Sequence, residues 1–449
     1  MVGSEQGGVT VTAMETAIQE EALQRYRPYP AYKDSGVDWL GEIPTHWEIA
    51  RVGDLMKLVN GYPFDSEFFL RGEGVPLVRI RDLGSTETEV NYTGPVIDEA
   101  WIETGDIIIG MDGDFNVGRW RGPRALLNQR MCCLRARSST DSGFASYLLP
   151  APLKVINDLT YSTTVKHLSS NDVHKIRLGL PPEPEQRSIA AFLDRETARI
   201  DALVAKKQRL IELLQEQRTA LITRAVTTGL DARSDAYIAG TEIFPLLPLG
   251  WKIRKLRRIL TQKKRPVEVQ QDSDYQEIGI RSWGRGIFHK EPLKGALLEE
   301  KSVYRIQPGD FVLNIVFAWE GAVAIASEQE RGMIGSHRFP TFLVSEEVDP
   351  DYLLMVFQVG QGRWLMEVNS PGAAGRNKTI RLNQFLDELI PLPPLATQQA
   401  LVRRVREEEQ RLADLTQKLR IAIARLQELR TAVISAAVTG KIDVREEVV

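Results

Sequence analysis

At 449 residues the chain is long enough for two to four domains with real cores. Its 43% hydrophobic and 26% charged content is that of an ordinary globular protein, and its net charge of −3 excludes a uniformly basic protein that coats nucleic acid. The two cysteines, Cys132 and Cys133, are adjacent, which suits neither an ordinary disulfide nor a spaced metal-ligand set, and so predicts a reducing, cytoplasmic setting.

Residues 1–25 read as a weakly specified N-terminal extension, with Met14 as an alternative start. They lack the basic-then-apolar layout of a signal peptide, and no run approaches the roughly 20 apolar residues of a membrane span, so no membrane partner is expected. Residues 26–180 read as an α+β globule. Val75–Ile80 and Gly105–Gly110 are β-branched runs bounded by glycine or proline, and 144–159 reads as helix.

Residues 181–235 form a helical spacer opened by Pro181-Pro182, where a helix can begin but cannot be interrupted, with Gly229 near its end. Stepping by four and three from Ile189 meets Leu193, Glu196, Ile200, Leu203, Lys207, Leu210, Leu214, Gln217 and Leu221, a heptad seam in which seven of ten positions are apolar.

Residues 236–392 repeat the globule and residues 393–449 repeat the spacer. Pro393-Pro394 opens the second helix at an offset of 212, and Gly440 lies near its end. Its seam is Leu401, Val405, Glu408, Leu412, Leu415, Leu419, Ala422, Leu426, Leu429 and Val433. A glutamate at the same step of both seams points to duplication. The globules correspond more loosely. Pro44…Trp47 matches Pro248…Trp251 and Gly105-Asp106 matches Gly309-Asp310 at an offset of 204, which becomes 208 at Arg130 and Arg338. Each helix spans about 40 residues, roughly 60 Å, and needs a partner along its length. The preceding globule or a second copy of the chain would each cover it. Its own duplicate is the nearest cover, and a two-fold relation between the halves favours an antiparallel pair with the globules at opposite ends.

No catalytic constellation emerges. Gly440-Lys441 lacks the rest of a phosphate-cradling loop, Gly284-Arg285-Gly286 stops short of a dinucleotide fingerprint, and the five histidines show no metal spacing. Asp112 and Asp114 read as turn residues. What the globules offer is arginine, amide and aromatic side chains in predicted loops, of the kind that read base edges or hold phosphate. The candidates are Arg79, Arg81, Asp112, Asn116, Arg119, Arg121, Arg130 and Lys166 in the first half. In the second they are Arg281, Trp283, Arg285, Arg338, Arg376, Asn377 and Lys378. The plain alternative for any one of them is solvated surface or a local ion pair.

Taken together, Tyr32–Pro44, GDIIIGMDGDFNVGRW over Gly105–Trp120, EIGIRSWGRGIFHK over Glu277–Lys290 and the two proline-opened helices resemble the specificity subunit of a type I restriction-modification system. The resemblance covers the chain from about Tyr29 onward. It implies two target-recognition domains separated by an antiparallel coiled coil, each reading half of a split site in double-stranded DNA. It also implies docking of two methylase subunits, joined by motor-nuclease subunits, with catalytic and cofactor residues in those partners and none in this chain. A coiled-coil interaction scaffold that reads no DNA is the alternative. The second half departs from the pattern by lacking most of the Lys33-Asp34-Ser35-Gly36 motif.

Overall fold

The computed structural model describes residues 25–159, 167–230, 235–298, 301–372 and 378–447. All of the expected N-terminal extension but Arg25 lies outside them. The chain divides into two units, Met1–Gln208 with Arg420–Val449, and Arg209–Leu419.

In the first unit, β1 (Met56–Asn60), β2 (Ile107–Gly110), β3 (Val117–Arg119) and β4 (Met131–Ala136) make an antiparallel sheet in the order β3-β2-β4-β1. The unbroken Ile107-Ile108-Ile109 run follows from burial on both faces. Ile107 and Ile109 join a core with Met56, Cys132 and Leu134, whereas Ile108 points the other way, into a cluster with Val59, Met131 and Cys133. Both cysteines are free and buried, and burial pushes the Cys132 thiol up to about 12. Helices α1 (Ser142–Leu148) and α2 (Pro150–Leu159) follow, and then α3 (Glu183–Thr227), 45 residues without a break.

The second unit repeats this plan. β5 (Leu260–Gln262), β6 (Phe311–Leu313), β7 (Val323–Ile325) and β8 (Thr341–Val344) pair in the order β5-β8-β6-β7, and α4 (Pro350–Gln358), α5 (Gly360–Val368) and α6 (Leu395–Val438) follow. Here too Phe311 and Leu313 face one cluster and Val312 the other. The Gly-Asp pairs shared by the halves close equivalent turns. Gly105 and Gly309 take positive φ of 97° and 82°, the conformation that favours glycine. The buried carboxylates of Asp106 and Asp310 accept the Glu103 and Gln307 amides, each at 2.8 Å. The arginine balancing each carboxylate differs: Arg135 reaches across the first sheet, whereas Arg265 lies beyond the end of β5 in the second unit.

Each core is sealed by the start of one long helix and the end of the other. Ile189, Phe192 and Leu193 of α3 join Val433, Ala437 and Val438 of α6 in the first unit. Leu401, Val402 and Val405 of α6 join Ile222, Ala225 and Val226 of α3 in the second. The helices are therefore antiparallel within each unit, as Arg430 to Asp201 at 3.1 Å and Arg218 to Glu409 at 2.5 Å show. Gly440 ends α6 at φ +73° where a Cβ would lie 2.4 Å from Pro44, so close approach as well as handedness demands glycine.

Burial along the seam is uneven. Ile189, Leu193, Ile200, Leu401, Val405, Leu412 and Val433 are buried, and Leu221, Leu214, Leu419, Leu426 and Leu429 are half-buried. Leu203, Leu210 and Leu415 are more than a third exposed. Most of the fully buried positions belong to a domain core.

Candidate nucleic-acid interface

In each unit three distant segments meet at one end of the four-stranded sheet. The Met111 amide donates to the Arg130 carbonyl at 3.0 Å and the Leu168 amide to the Met111 carbonyl at 2.8 Å. At equivalent positions Ile315 donates to Arg338 at 3.0 Å and Ile380 to Ile315 at 2.9 Å. The segment after β2 or β6, the residue leading into β4 or β8, and the segment after α2 or α5 are thus knotted together by the same backbone bonds. Divergent side chains hang on a common frame.

In the first unit that frame assembles Asp112, Asn116 and Arg130 with His167. Asp112 accepts the Arg130 guanidinium at 2.7 Å and lies 2.9 Å from His167 Nδ1. The His167 hydrogen bond, aided by Arg130 and opposed by burial, holds its carboxyl below the usual range. Asn116 is exposed on the same loop, beside Phe115, which is buried at a positive φ of 51°. Lys166 lies outside the described residues.

The other first-half candidates sit apart. Arg79 and Arg81 both reach Glu89, at 2.8 and 3.2 Å, and Arg71 is the third cation on that carboxylate. The Arg81 hydrogen bond leads in lowering the Glu89 carboxyl. Arg119 and Arg121, at and just beyond the far end of β3, carry no ion pair among the described residues and open into a cleft of about 640 Å³ lined also by Tyr147, Lys154, Asp194 and Arg430.

In the second unit the frame brings together Arg338, Lys378 and the loop after β6. Arg338 is exposed, has no ion pair among the described residues, and borders a cleft of about 640 Å³ with Asn314, Lys290 and Lys301. Lys378 pairs with Glu367 at 3.1 Å and lies 4.8 Å from the Trp319 ring centre. The segment Arg281–Gly286 is tied to the same loop, because the Trp283 and Gly284 amides donate to the Glu320 and Gly321 carbonyls at 2.9 and 2.8 Å. Those bonds hold Trp283 at φ +67°. Its ring is 55% exposed and stacks on Arg363 at 4.6 Å. Arg281 and Arg285 are exposed and donate to the Ile287 and Ser282 carbonyls. Arg376 and Asn377 lie outside the described residues.

Sequence reasoning passed over His167, Asn314, Lys290, Lys301 and Arg363. The run Lys263-Lys264-Arg265 signals positive charge in this half, but no local pattern marks Arg363, which is selected by packing on Trp283. Among the described residues no group of three His, Cys, Asp or Glu side chains is placed to hold a metal ion, and no helix is long and apolar enough to cross a membrane.

A duplicated α+β unit whose repeats share two long antiparallel helices is a defined architecture, and relatives share it. Residues 44–213 match the type I restriction modification DNA specificity domain. The chain is similar to the Escherichia coli type I restriction enzyme EcoBI specificity subunit, 28% identical over 91% of this chain and 89% of that one. It is similar also to the MjaVIII specificity subunit of Methanocaldococcus jannaschii, 23% identical over 90% and 94%. The same fold occurs in a chain from a structural study of assembly and conformational transition of the type I R-M system, with a TM-score of 0.65, 17% identity and coverage of 88% and 98%. The HsdS subunit from Thermoanaerobacter tengcongensis shares it with a TM-score of 0.53, 17% identity and coverage of 89% and 98%. The matched domain and the similar sequences indicate a specificity subunit of a type I restriction-modification system, and the structural neighbours share the fold.

Proposed function

We propose that this chain is the DNA-reading, non-catalytic component of a cytoplasmic type I restriction-modification complex. Residues 26–180 and 236–392 are its target-recognition domains, each reading one half of a bipartite site in double-stranded DNA. The helical regions 181–235 and 393–449 set the gap and hold two methylase subunits, and motor-nuclease subunits join for cleavage. The supporting observation is the repeated backbone frame at the end of each sheet, which carries Asp112, Asn116 and Arg130 in one half and Arg338 and Lys378 in the other. A common frame with unlike side chains suits two readers of unlike sequences. A scaffold that reads no DNA leaves this pairing unexplained.

Methylome sequencing of a host carrying the chain with its methylase subunit tests the reading. The expected result is one split, asymmetric methylated motif that needs both proteins, with Arg285→Ala relaxing one half of it only. Methylation independent of this chain, or an uninterrupted motif, would overturn it.

A further inference from the structure

Strands Ile278–Ile280 and Ile287–His289 pair as an antiparallel hairpin in the second unit, and Arg281–Gly286 form its tip. There Trp283 and Gly284 take consecutive positive φ of 67° and 59°. Glycine adopts that conformation freely, but a bulky aromatic residue keeps it only where the surroundings over-determine it. The tip is braced in that way. Besides the backbone bonds to Glu320 and Gly321, the Ser282 hydroxyl donates to Glu320 Oε2 at 2.6 Å and the Gln358 side-chain amide donates to the Gly284 carbonyl at 3.2 Å. A Cβ on Gly284 would lie 2.6 Å from Gln358 Cγ, so the tip is also packed closely on the end of α4.

This bracing presents a ring to solvent. Arg363 of α5 covers one face of Trp283, and an exposure of 55% with one face covered leaves the other face open. Arg363 makes no ion pair among the described residues, and its Nε is buried without a hydrogen-bond partner. Arg281 and Arg285 flank the ring, both exposed. In the first unit the arginine-bearing segment after Val75–Val78 is a 3-10 turn, Ile80–Asp82, with no aromatic residue, and Arg79 and Arg81 go to Glu89.

We propose that Trp283 is a preset wedge that stacks through its open face on one base of duplex DNA, at a step that the hairpin tip kinks and partly unstacks. Every base offers a flat face to an aromatic ring, and apolar wedges that enter a base step bend the duplex. The covered face excludes a sandwich between two bases, so the ring takes one. Arg281 and Arg285 supply cations for the phosphates beside that step. A ring already fixed by its backbone loses little freedom on binding. The distortion falls in one half-site, that of the second domain. This rests on the proposed function, in which the chain reads duplex DNA.

The test uses the full chain assembled with its methylase subunit on a duplex carrying the methylated motif. End-to-end fluorescence transfer reports the bend, and 2-aminopurine or pyrrolocytosine placed at each adenine or cytosine reports unstacking. Enzymes that modify a base also take it out of the stack, so the methylated positions are set aside. Wild type should bend the duplex and show one further unstacked step, in one half of the motif only. Trp283→Asn should abolish both and weaken binding about tenfold, while Trp283→Phe keeps part of each. Asparagine tolerates the left-handed backbone better than tryptophan, so Trp283→Asn should unfold in urea at or above the wild-type midpoint. Trp364→Ala, which removes another exposed indole from α5, should leave the bend unchanged, and an equal loss there would overturn the assignment to Trp283. The wedge is also overturned by an unstacked step that survives Trp283→Asn or is missing from wild type, or by a bend lost together with a lowered midpoint. Failure of the wild-type complex to bind any duplex specifically would overturn the functional reading beneath it.

Discussion

Gln186 and Gln398 each hold three backbone groups inside a core. The side-chain amide of Gln186 donates to the Pro181 and Ser139 carbonyls at 2.8 and 3.2 Å and accepts the Asp141 amide at 2.8 Å. Gln398 does the same with Pro393, Glu347 and Asp349, at 2.8, 3.0 and 2.8 Å. Asp141 and Asp349 in turn cap α1 and α4, so one buried glutamine locks the entry of a long helix to the start of a short one. Gln186→Met keeps the volume and strands those groups. We expect a loss of about 2–5 kcal/mol in urea unfolding, matched by Gln398→Met, and a loss below about 0.5 kcal/mol would show that water takes the glutamine's place. Both glutamines were visible in the repeat, but nothing local distinguishes a buried amide from a solvated one near a helix start. Glu185 is the residue-scale asymmetry. It accepts the Tyr29 hydroxyl at 2.7 Å and the Trp47 indole at 2.9 Å and lies 2.8 Å from His46 Nε2, while the second half has Thr397 in its place. Burial first, then the bond to Glu185, raises the Tyr29 phenol far above its ordinary value of about 10. A group raised in the fold stabilises it fully below the unfolded value and ceases to do so as pH climbs through the folded one. Stability should therefore fall from about pH 10 upward, and Tyr29→Phe should make that alkaline decline shallower in unfolding measured between pH 8 and 11. An unchanged decline would exclude Tyr29 as a contributor. Tyr26, Tyr147 and Tyr352 and the thiols of Cys132 and Cys133 are also raised by burial and contribute to the same decline.

The long helices behave as different elements at their ends and at their centres. A heptad reading treats every seam leucine alike, but a fully buried seam leucine loses contact all round when cut back, and a part-exposed one retains water on one side. Leu412 is 6% exposed and Leu415, one step along the seam, is 40% exposed. Leu412→Ala should cost about 2–4 kcal/mol and Leu415→Ala below about 1 kcal/mol by chemical denaturation. Equal costs would mean that the seam is uniformly packed in solution. The short elements show the same limit of local reading. The strand run before Gly110 and the helical stretch beginning near 144 were legible because period and boundary residues lie within a few positions of one another. The division of 142–159 and 350–368 into two helices each was not, because Pro150 and Gly360 acquire that meaning only once each segment packs on its sheet.

For the molecule as a whole, the proposed role of the helices as a spacer makes a metric prediction. A seven-residue insertion after Gln208 and another after Leu419 would keep the seam in step and lengthen both helices by about 10 Å, or about three base pairs of duplex. Selection of methylated sites should then favour a gap longer by about that amount with both half-sites unchanged, and an unaltered gap would sink the spacer role. The sequence by itself determined that the chain is two copies of one plan, where the long helices begin, and which loops carry arginine, because repeats, periodicity and breakers are written in residue order. Only the tertiary structure decided that each domain core is closed by the start of one helix and the end of the other. Only there does Arg130 prove to be held by Asp112 while Arg338 has no ion pair among the described residues, and only there do His167 and Arg363 join the candidate site. Those outcomes depend on contacts between residues from 18 to more than 200 positions apart, and burial and charge pairing are properties of such contacts rather than of the residues that make them.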